Sequence, residues 1–228
     1  MKHSGKARKA ALRLIGWTLV GLVAIFVGGF VATIVGTLIS AVSIILIGLW
    51  IIFALFTFYF FRDPNPRVPK EPGLIVSPGH GKVDAIDEIN EPYFIGGACR
   101  RISTFLSVVD VHVQNAPVTG KIVYYKYTEG EFLNALKAES ATHNENAYLG
   151  IESTERPGVK IGVRLIAGVI ARRIVPFVNA GDEVPRGERI SLIQFGSRVD
   201  LYLPISARVK IKLGDRVVGG ETIMATFD

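Results

Sequence analysis

The sequence predicts a mostly β protein, a pseudo-symmetric β sandwich with a few short helices, preceded by an N-terminal transmembrane helical hairpin. Three observations predict it. Leu14 to Phe61 runs for 48 residues without one charge. From Leu74 onward, short runs rich in Val, Ile, Tyr and Phe alternate with Gly, Pro and Asp turns, the pattern of strands joined by tight connections. Within that second part, two glycine-punctuated patterns each occur twice.

Residues 1–12 form a basic tail. The uncharged run after it is too long for one membrane crossing, which needs roughly 20 helical residues, and long enough for two with a turn. Gly28, Gly29, Thr33, Gly36, Thr37 and Ser40 lie where the reversal would fall, so two spans are expected at about residues 13–35 and 39–61, a hairpin covering 13–61. A cleaved signal peptide would carry a far shorter apolar stretch and a small-residue cleavage site before a polar start. Lys2, Lys6, Arg8, Lys9 and Arg13 precede the run, and Arg62, Arg67 and Lys70 follow it. By the positive-inside rule both ends face the cytoplasm, which puts the folded part on the cytoplasmic side of the membrane, in a prokaryote the inner membrane.

Charge is distributed unevenly. Of the net +6, the first 61 residues hold +5, leaving +1 for residues 62–228. A nearly neutral folded part lacks the basic surface that nucleic-acid binding needs. Cys99 is the single cysteine, so no internal disulfide can form, and no His/Cys cluster has the spacing of a metal site. Residues 62–73, with Pro64, Pro66, Pro69 and Pro72, make a stiff linker in which no helix continues. Arg62 and Arg67 there fit either interfacial anchoring or a lipid phosphate.

Residues 74–228 are expected to form the β domain, with helix-like segments at Glu131–Ser140 and Ala167–Arg173. Gly181-Asp182-x-Val184-x-x-Gly187-Glu188-x-Ile190 recurs 33 residues later as Gly214-Asp215-x-Val217-x-x-Gly220-Glu221-x-Ile223. Pro78-x-x-Gly81-Lys82-Val83 recurs as Pro117-x-x-Gly120-Lys121-Ile122. Such hairpins resemble the barrel-sandwich hybrid units of biotinyl and lipoyl carriers. The corresponding turns, Pro185-Arg186 and Val218-Gly219, have no lysine to carry a cofactor. Export-system adaptors of similar architecture insert a long helical hairpin, and no heptad segment is present to form one.

Gly196 and Ser197 interrupt two strand-like runs, Ile190–Phe195 and Val199–Leu203. A glycine inside a strand pattern marks a bulge, bend or close approach, and a serine just after it sets a hydroxyl beside the preceding carbonyl. The serine does not sit in a G-x-S-x-G elbow, so an α/β-hydrolase nucleophile is not indicated.

Phe195-Gly196-Ser197-Arg198 matches the cleavage motif of the phosphatidylserine decarboxylases, and further segments resemble the small membrane-bound members of that family in order and spacing. They include Phe60-Phe61-Arg62-Asp63-Pro64, Ser77-Pro78-x-x-Gly81-Lys82-Val83, Phe105-Leu106-Ser107-x-x-Asp110-Val111-His112-Val113, Asn144-Glu145-Asn146 and Ile166-Ala167-Gly168-x-x-Ala171-Arg172-Arg173-Ile174. The resemblance implies self-cleavage between Gly196 and Ser197 into two chains that stay associated, with Ser197 converted to a pyruvoyl group. It implies no metal, a phospholipid substrate in the membrane, phosphatidylethanolamine and carbon dioxide as products, and is compatible with a homo-oligomer. His112, at the family's Asp-Val-His position, becomes the general acid/base. Arg172, Arg173 and Arg198 become candidates for the substrate phosphate or carboxylate, with structural ion pairing the alternative.

The chain departs from the family's pattern in a few places. His80 stands where the family has an aspartate thought to orient the base; an imidazole supplies no fixed negative charge, so either His80 is itself the base, or Asp84 or Asp110 stands in for the aspartate. Gln114-Asn115 replace the usual Asn-Arg, and larger relatives have a histidine at the position of Asn115. Ser191 replaces a glycine in Arg189-Ile190-Ser191-Leu192-Ile193. These changes fit either altered processing or an uncleaved paralogue that binds a lipid headgroup or a partner protein.

Overall fold

The computed structural model describes residues 5–31, 37–130, 144–168, 173–194 and 196–227. They fall into two compact units, Gly5–Asp63 and the chain from Pro64 onward.

The first unit consists of helices α1 (Lys6–Val31) and α2 (Thr37–Phe60). Each contains a stretch long and apolar enough to cross a membrane, Lys6–Phe30 and Ala41–Phe60. α1 begins at Lys6 rather than near residue 13, because lysine and arginine are good helix formers and charge limits the depth of a helix in lipid without ending the helix. Trp17 and Phe30 are 77% and 78% exposed, as expected of helices whose surroundings are apolar. The hydroxyls of Thr18 and Thr57 donate to carbonyls within their own helices, Leu14 at 3.1 Å and Phe53 at 2.8 Å, so neither is left unsatisfied.

The second unit is built of antiparallel strands numbered in chain order. Its main sheet has eight strands, in the order β13 (Arg216–Val217), β2 (Gly81–Glu91), β3 (Gly97–Leu106), β11 (Ser197–Pro204), β7 (Lys160–Ala167), β6 (Asn146–Ser153), β5 (Gly120–Thr128) and β9 (Glu183–Val184). A three-stranded sheet joins β4 (Val113–Asn115), β10 (Arg189–Ile193) and β8 (Ile174–Pro176). Another joins β1 (Leu74–Val76), β14 (Ile223–Thr226) and β12 (Arg208–Val209). The segment 131–143, expected to be partly helical, lies outside the described residues, as do 169–172 of the second expected helix. Ala167, where that helix was to begin, is the last residue of β7.

The sequence repeats occupy equivalent places at the two ends of the main sheet. β13 pairs with β2 through Val217↔Gly81, and β9 pairs with β5 through Val184↔Gly120. Gly214 N–H donates to Val83 at 2.8 Å, as Gly181 N–H does to Ile122 at 2.7 Å. Each repeat aspartate caps its own turn at the same distance, Asp182 from Asn179 N–H and Asp215 from Lys212 N–H, both 2.8 Å. The pseudo-symmetry of the domain is therefore repeated in its hydrogen bonds.

β11 and β7 lie at the centre of the main sheet. On β11, Val199, Leu201 and Leu203 enter the core with Ile102, Leu149 and Leu165. Alternation sends Arg198, Asp200 and Tyr202 to the other face, where Tyr202 packs with Phe94, Cys99 and Tyr148. The proline linker is held by arginines from the repeat turns. Arg186 donates to the carbonyls of Pro69 (3.0 Å) and Glu71 (2.8 Å) and pairs with both oxygens of Glu155 at 2.6 Å. Arg189 donates to the Asn65 side chain at 2.9 Å.

Candidate active site at the Gly196–Ser197 bend

The chain leaves β10 in one sheet and enters β11 in another across a short bend, and the candidate site is that crossing. Gly196 adopts φ +71°, a left-handed conformation that costs an L side chain about 1–2 kcal/mol. A Cβ there would meet nothing within 4 Å, so the glycine is required by backbone conformation and not by crowding.

Ser197 is the first residue of β11, paired with Leu106 on one side and Ala167 on the other. It is completely buried, and among the described residues its hydroxyl has no hydrogen-bond partner. A buried hydroxyl without a partner costs about 1–3 kcal/mol, and such orphans concentrate where chemistry needs them.

Gly196 is held at both its N–H and its carbonyl. Gly196 N–H donates to His112 Nε2 at 3.0 Å. The Gly196 carbonyl accepts from Gly168 N–H at 3.1 Å, one residue beyond the Ser197↔Ala167 pair of the β11–β7 ladder. His112 precedes β4 and is fully buried. Its Nδ1 lies 2.9 Å from the Asp110 backbone carbonyl. A carbonyl can only accept and Gly196 N–H can only donate, so the ring carries its proton on Nδ1 and presents Nε2 as a lone pair. Ile193 N–H donates to the His112 carbonyl at 3.1 Å, holding the end of β10 against the histidine.

The remaining expected residues separate. The Asp110 carboxylate folds its own turn, accepting from Ser107 N–H (2.9 Å) and Oγ (2.6 Å), with Arg216 at 3.3 Å; only its backbone carbonyl serves His112. His80 and Asn115 sit together beside Gly219, each with an atom within 3 Å of where a Cβ on that glycine would be. Asn115 also donates to the Gly187 carbonyl at 2.9 Å. Arg198 is on the opposite face of β11 from Ser197 and pairs with Asp84. Burial pushes the Asp84 carboxyl up despite the attraction of Arg198. Arg173 is exposed, and its backbone carbonyl accepts from Gln194 N–H at 3.2 Å. Arg172 lies outside the described residues.

Four contributing residues were not assigned a role from the sequence. Gly168 acts through its backbone. Asn144, also buried, donates from Nδ2 to the Ala167 carbonyl at 2.7 Å. Ser191 and Gln114, two of the departures, are bonded to each other at 2.6 Å, and Gln114 Nε2 donates to the His112 carbonyl at 2.7 Å. On the far face of the main sheet a cavity of about 380 Å³ is lined by Glu91, Tyr124, Tyr148, Arg164 and Tyr202, separate from the bend.

A mostly β domain with a buried hydroxyl next to a carbonyl, a backbone donor on that carbonyl and an imidazole on the preceding N–H has the class of an enzyme-like fold with a candidate internal nucleophile. The sequence matches the family described as phosphatidylserine decarboxylase over residues 53–225. A phosphatidylserine decarboxylase proenzyme of Symbiobacterium thermophilum is 43% identical over 201 residues, covering 87% of this chain and 91% of the relative. Another, from Desulfotalea psychrophila, is 43% identical over 190 residues, covering 82% and 88%. One from Zymomonas mobilis is 45% identical over 172 residues, covering 72% and 69%. The chain belongs to the phosphatidylserine decarboxylase family and is an enzyme of that family.

Proposed function

We propose that this chain is a proenzyme that cuts itself between Gly196 and Ser197, and then decarboxylates phosphatidylserine to phosphatidylethanolamine at a membrane to which α1 and α2 anchor it. The observation that carries the reading is the buried Ser197 hydroxyl, without a partner among the described residues, directly after a left-handed glycine. Attack by a serine oxygen on the carbonyl before it closes a five-membered ring, so nucleophile and electrophile are already in one segment and little entropy is left to lose.

His112 takes the Ser197 proton on Nε2, the nitrogen that is a lone pair in the observed tautomer, as Gly196 N–H swings away. The Ser197 oxygen then replaces the nitrogen on the Gly196 carbonyl carbon, turning amide into ester. Elimination across the Cα–Cβ bond of Ser197 releases Gly196 as a carboxylate, and addition of water with loss of ammonia leaves a pyruvoyl group on residue 197. The site fits that group: it forms from a side chain already buried in the main sheet, and its two neighbours on β3 and β7 are fixed by the register. The group supplies a ketone that binds the amine of the substrate and accepts the electrons left when carbon dioxide departs. His112 returns a proton to the substrate carbon; the bacterial relatives support a prokaryotic membrane, and the basic residues flanking both ends of the apolar run support a cytoplasmic side for the domain.

The test is an intact-mass spectrum of the purified full chain. The expected result is two chains, residues 1–196 and 197–228, the smaller lighter by one ammonia than a serine-ended fragment. Ser197→Ala should remain whole and release no carbon dioxide from phosphatidylserine vesicles. A single uncut wild-type chain would sink the reading and favour a paralogue that binds without this chemistry.

A further inference from the structure

We infer that the Ala167–Gly168 peptide, oriented by the side chain of Asn144, is the oxyanion donor for the rearrangement at Gly196, and that it keeps hold of the same oxygen through the elimination that follows. This rests on the self-processing reading above.

The Gly196 carbonyl is the electrophile of that reaction, and Gly168 N–H already points at its oxygen from 3.1 Å. When the Ser197 oxygen adds, the carbonyl π electrons move onto this oxygen, and a donor fixed in a water-free site stabilises the charge without reorganising. The donor is fixed in two ways. The ladder between β11 and β7 sets its register, with Ser197 opposite Ala167 and Arg198 opposite Ile166. The Ala167 carbonyl and Gly168 N–H are the two ends of one planar peptide, so a hydrogen bond to the carbonyl end sets the direction of the N–H end. Asn144 makes that bond at 2.7 Å, and Ala167 N–H is held by the Glu145 carbonyl at 2.9 Å. Donation into the carbonyl also polarises the peptide and strengthens its N–H as a donor.

The electron and proton balance keeps this donor in use. In the first step the O–C bond forms, the C–N bond breaks, and the nitrogen leaves with a proton as the free amine of residue 197. In the second, a base removes the Ser197 Cα proton, the Cβ–Oγ bond breaks, and its electron pair leaves on the oxygen. The leaving group is the Gly196 carboxylate, and its other oxygen is the one Gly168 N–H has held since before the first step. A donor that stabilises both the tetrahedral oxyanion and the departing carboxylate speeds both halves of the processing. Gly168 is a catalytic group by contact, and Asn144 is a positioning residue acting through it.

The experiment follows cleavage of freshly synthesised full-length chain in detergent by intact mass, from pH 5 to pH 8. Gly168→Pro removes the N–H, and the residue before it is in a strand, a conformation proline accepts in its neighbour. Loss of one oxyanion donor is expected to slow cleavage by about 10²–10³-fold. Asn144→Asp is the decisive variant, because it keeps shape and changes donor to acceptor only when ionised. Wild-type cleavage should not slow with rising pH, because His112 acts through an Nε2 that is already a lone pair. In Asn144→Asp the rate should instead fall as the carboxyl loses the proton it could donate to Ala167, a decline that disturbed packing would not produce.

A folded Gly168→Pro chain that cleaves at the wild-type rate overturns the proposal. So does an Asn144→Asp profile parallel to that of wild type, which decides the matter if the proline variant does not fold. A wild-type chain that never cleaves overturns the underlying reading instead, and the two failures are thereby distinguished.

Discussion

Gly196 and Gly158 form a matched pair that separates the cost of a left-handed backbone from its use. Gly196 has φ +71° and Gly158 +82°, and at neither does a Cβ meet any atom within 4 Å. Alanine at either site therefore carries only the conformational penalty, about 1–2 kcal/mol. For a domain of this size each kcal/mol lowers Tm by about 2–4 °C, so both variants should lose roughly 2–8 °C when measured by thermal unfolding in a Ser197→Ala background that keeps every chain whole. Their effect on cleavage should differ. Gly158 lies in the turn between β6 and β7, away from the bend, and Gly158→Ala should cleave like wild type. At Gly196 an alanine that relaxes to negative φ withdraws its N–H from His112 and its carbonyl from Gly168. Regaining the reactive geometry then costs the same 1–2 kcal/mol in the transition state, slowing cleavage by about 5- to 30-fold. The assay is the time course of the two product chains by intact mass. Equal cleavage rates for the two variants, at equal losses of Tm, would refute the claim that the left-handed bend is the reactive conformation.

The Arg186–Glu155 pair should give the domain an acid-sensitive hold on its proline linker. Burial alone would raise the Glu155 carboxyl, but the hydrogen bonds from Arg186 and Thr119 and the Arg186 charge hold it below the ordinary 4.5. A depressed carboxylate contributes stability that is fully present above its unfolded value and is lost as pH falls through the lower folded value. Tm should therefore drop from about pH 4.5 downward, and Glu155→Gln should remove that part of the slope while lowering Tm at neutral pH. Arg186→Ala, which removes the donor to two linker carbonyls and to the solvent-accessible Glu155, should cost about 1–3 kcal/mol by chemical denaturation. For Ser191 and Gln114, bonded at 2.6 Å in a fully buried setting, a double-mutant cycle with Ser191→Ala and Gln114→Leu should give a coupling of about 1–3 kcal/mol. A coupling near zero would show that the hydroxyl does not depend on its amide partner.

Features set by local pattern were legible in the sequence. The uncharged run gave both helices, although not the start of α1, because helix propensity and membrane depth are different quantities and only the second reads charge. The repeats gave the two ends of the main sheet because the same glycine-punctuated pattern builds the same pairing twice, Val217 with Gly81 and Val184 with Gly120, although the partners are far apart in sequence. The bend at Gly196 could be read as a glycine interrupting strands, and the motif resemblance supplied His112, which is 84 residues away. Gly168 could not be found that way: a backbone N–H has no residue signature, and its aim depends on the register between β11 and β7. Asn144 acts on that peptide from a different strand connection, and only the folded sheet brings them together. For the missing orienting carboxylate the sequence left His80 as the base itself, or Asp84 or Asp110 as the stand-in; the fold sets His80 beside Asn115 and Gly219, while the Asp110 backbone carbonyl serves the Nδ1 of His112.

The departures from the family's pattern also gain a physical order from these contacts. Ser191 would be a buried hydroxyl on β10 without a partner, at a cost of about 1–3 kcal/mol, were Gln114 not opposite it in the β10–β4 register. Gln114 uses its other end to bind the His112 carbonyl, so this pair of changes braces the histidine that accepts from Gly196. His80 and Asn115 meet at Gly219, where a Cβ would fall 2.7 Å from Asn115 and 2.9 Å from His80, so the three positions constrain each other sterically. Each change thus touches another, and one pair reaches the reactive bend through a hydrogen bond to the backbone of its histidine. Substitutions that had merely drifted after loss of function would leave buried hydroxyls and amides without partners. Here the hydroxyl of Ser191 and the amides of Gln114 and Asn115 are bonded, whereas the Ser197 oxygen, the atom the proposed chemistry consumes, has no hydrogen-bond partner among the described residues.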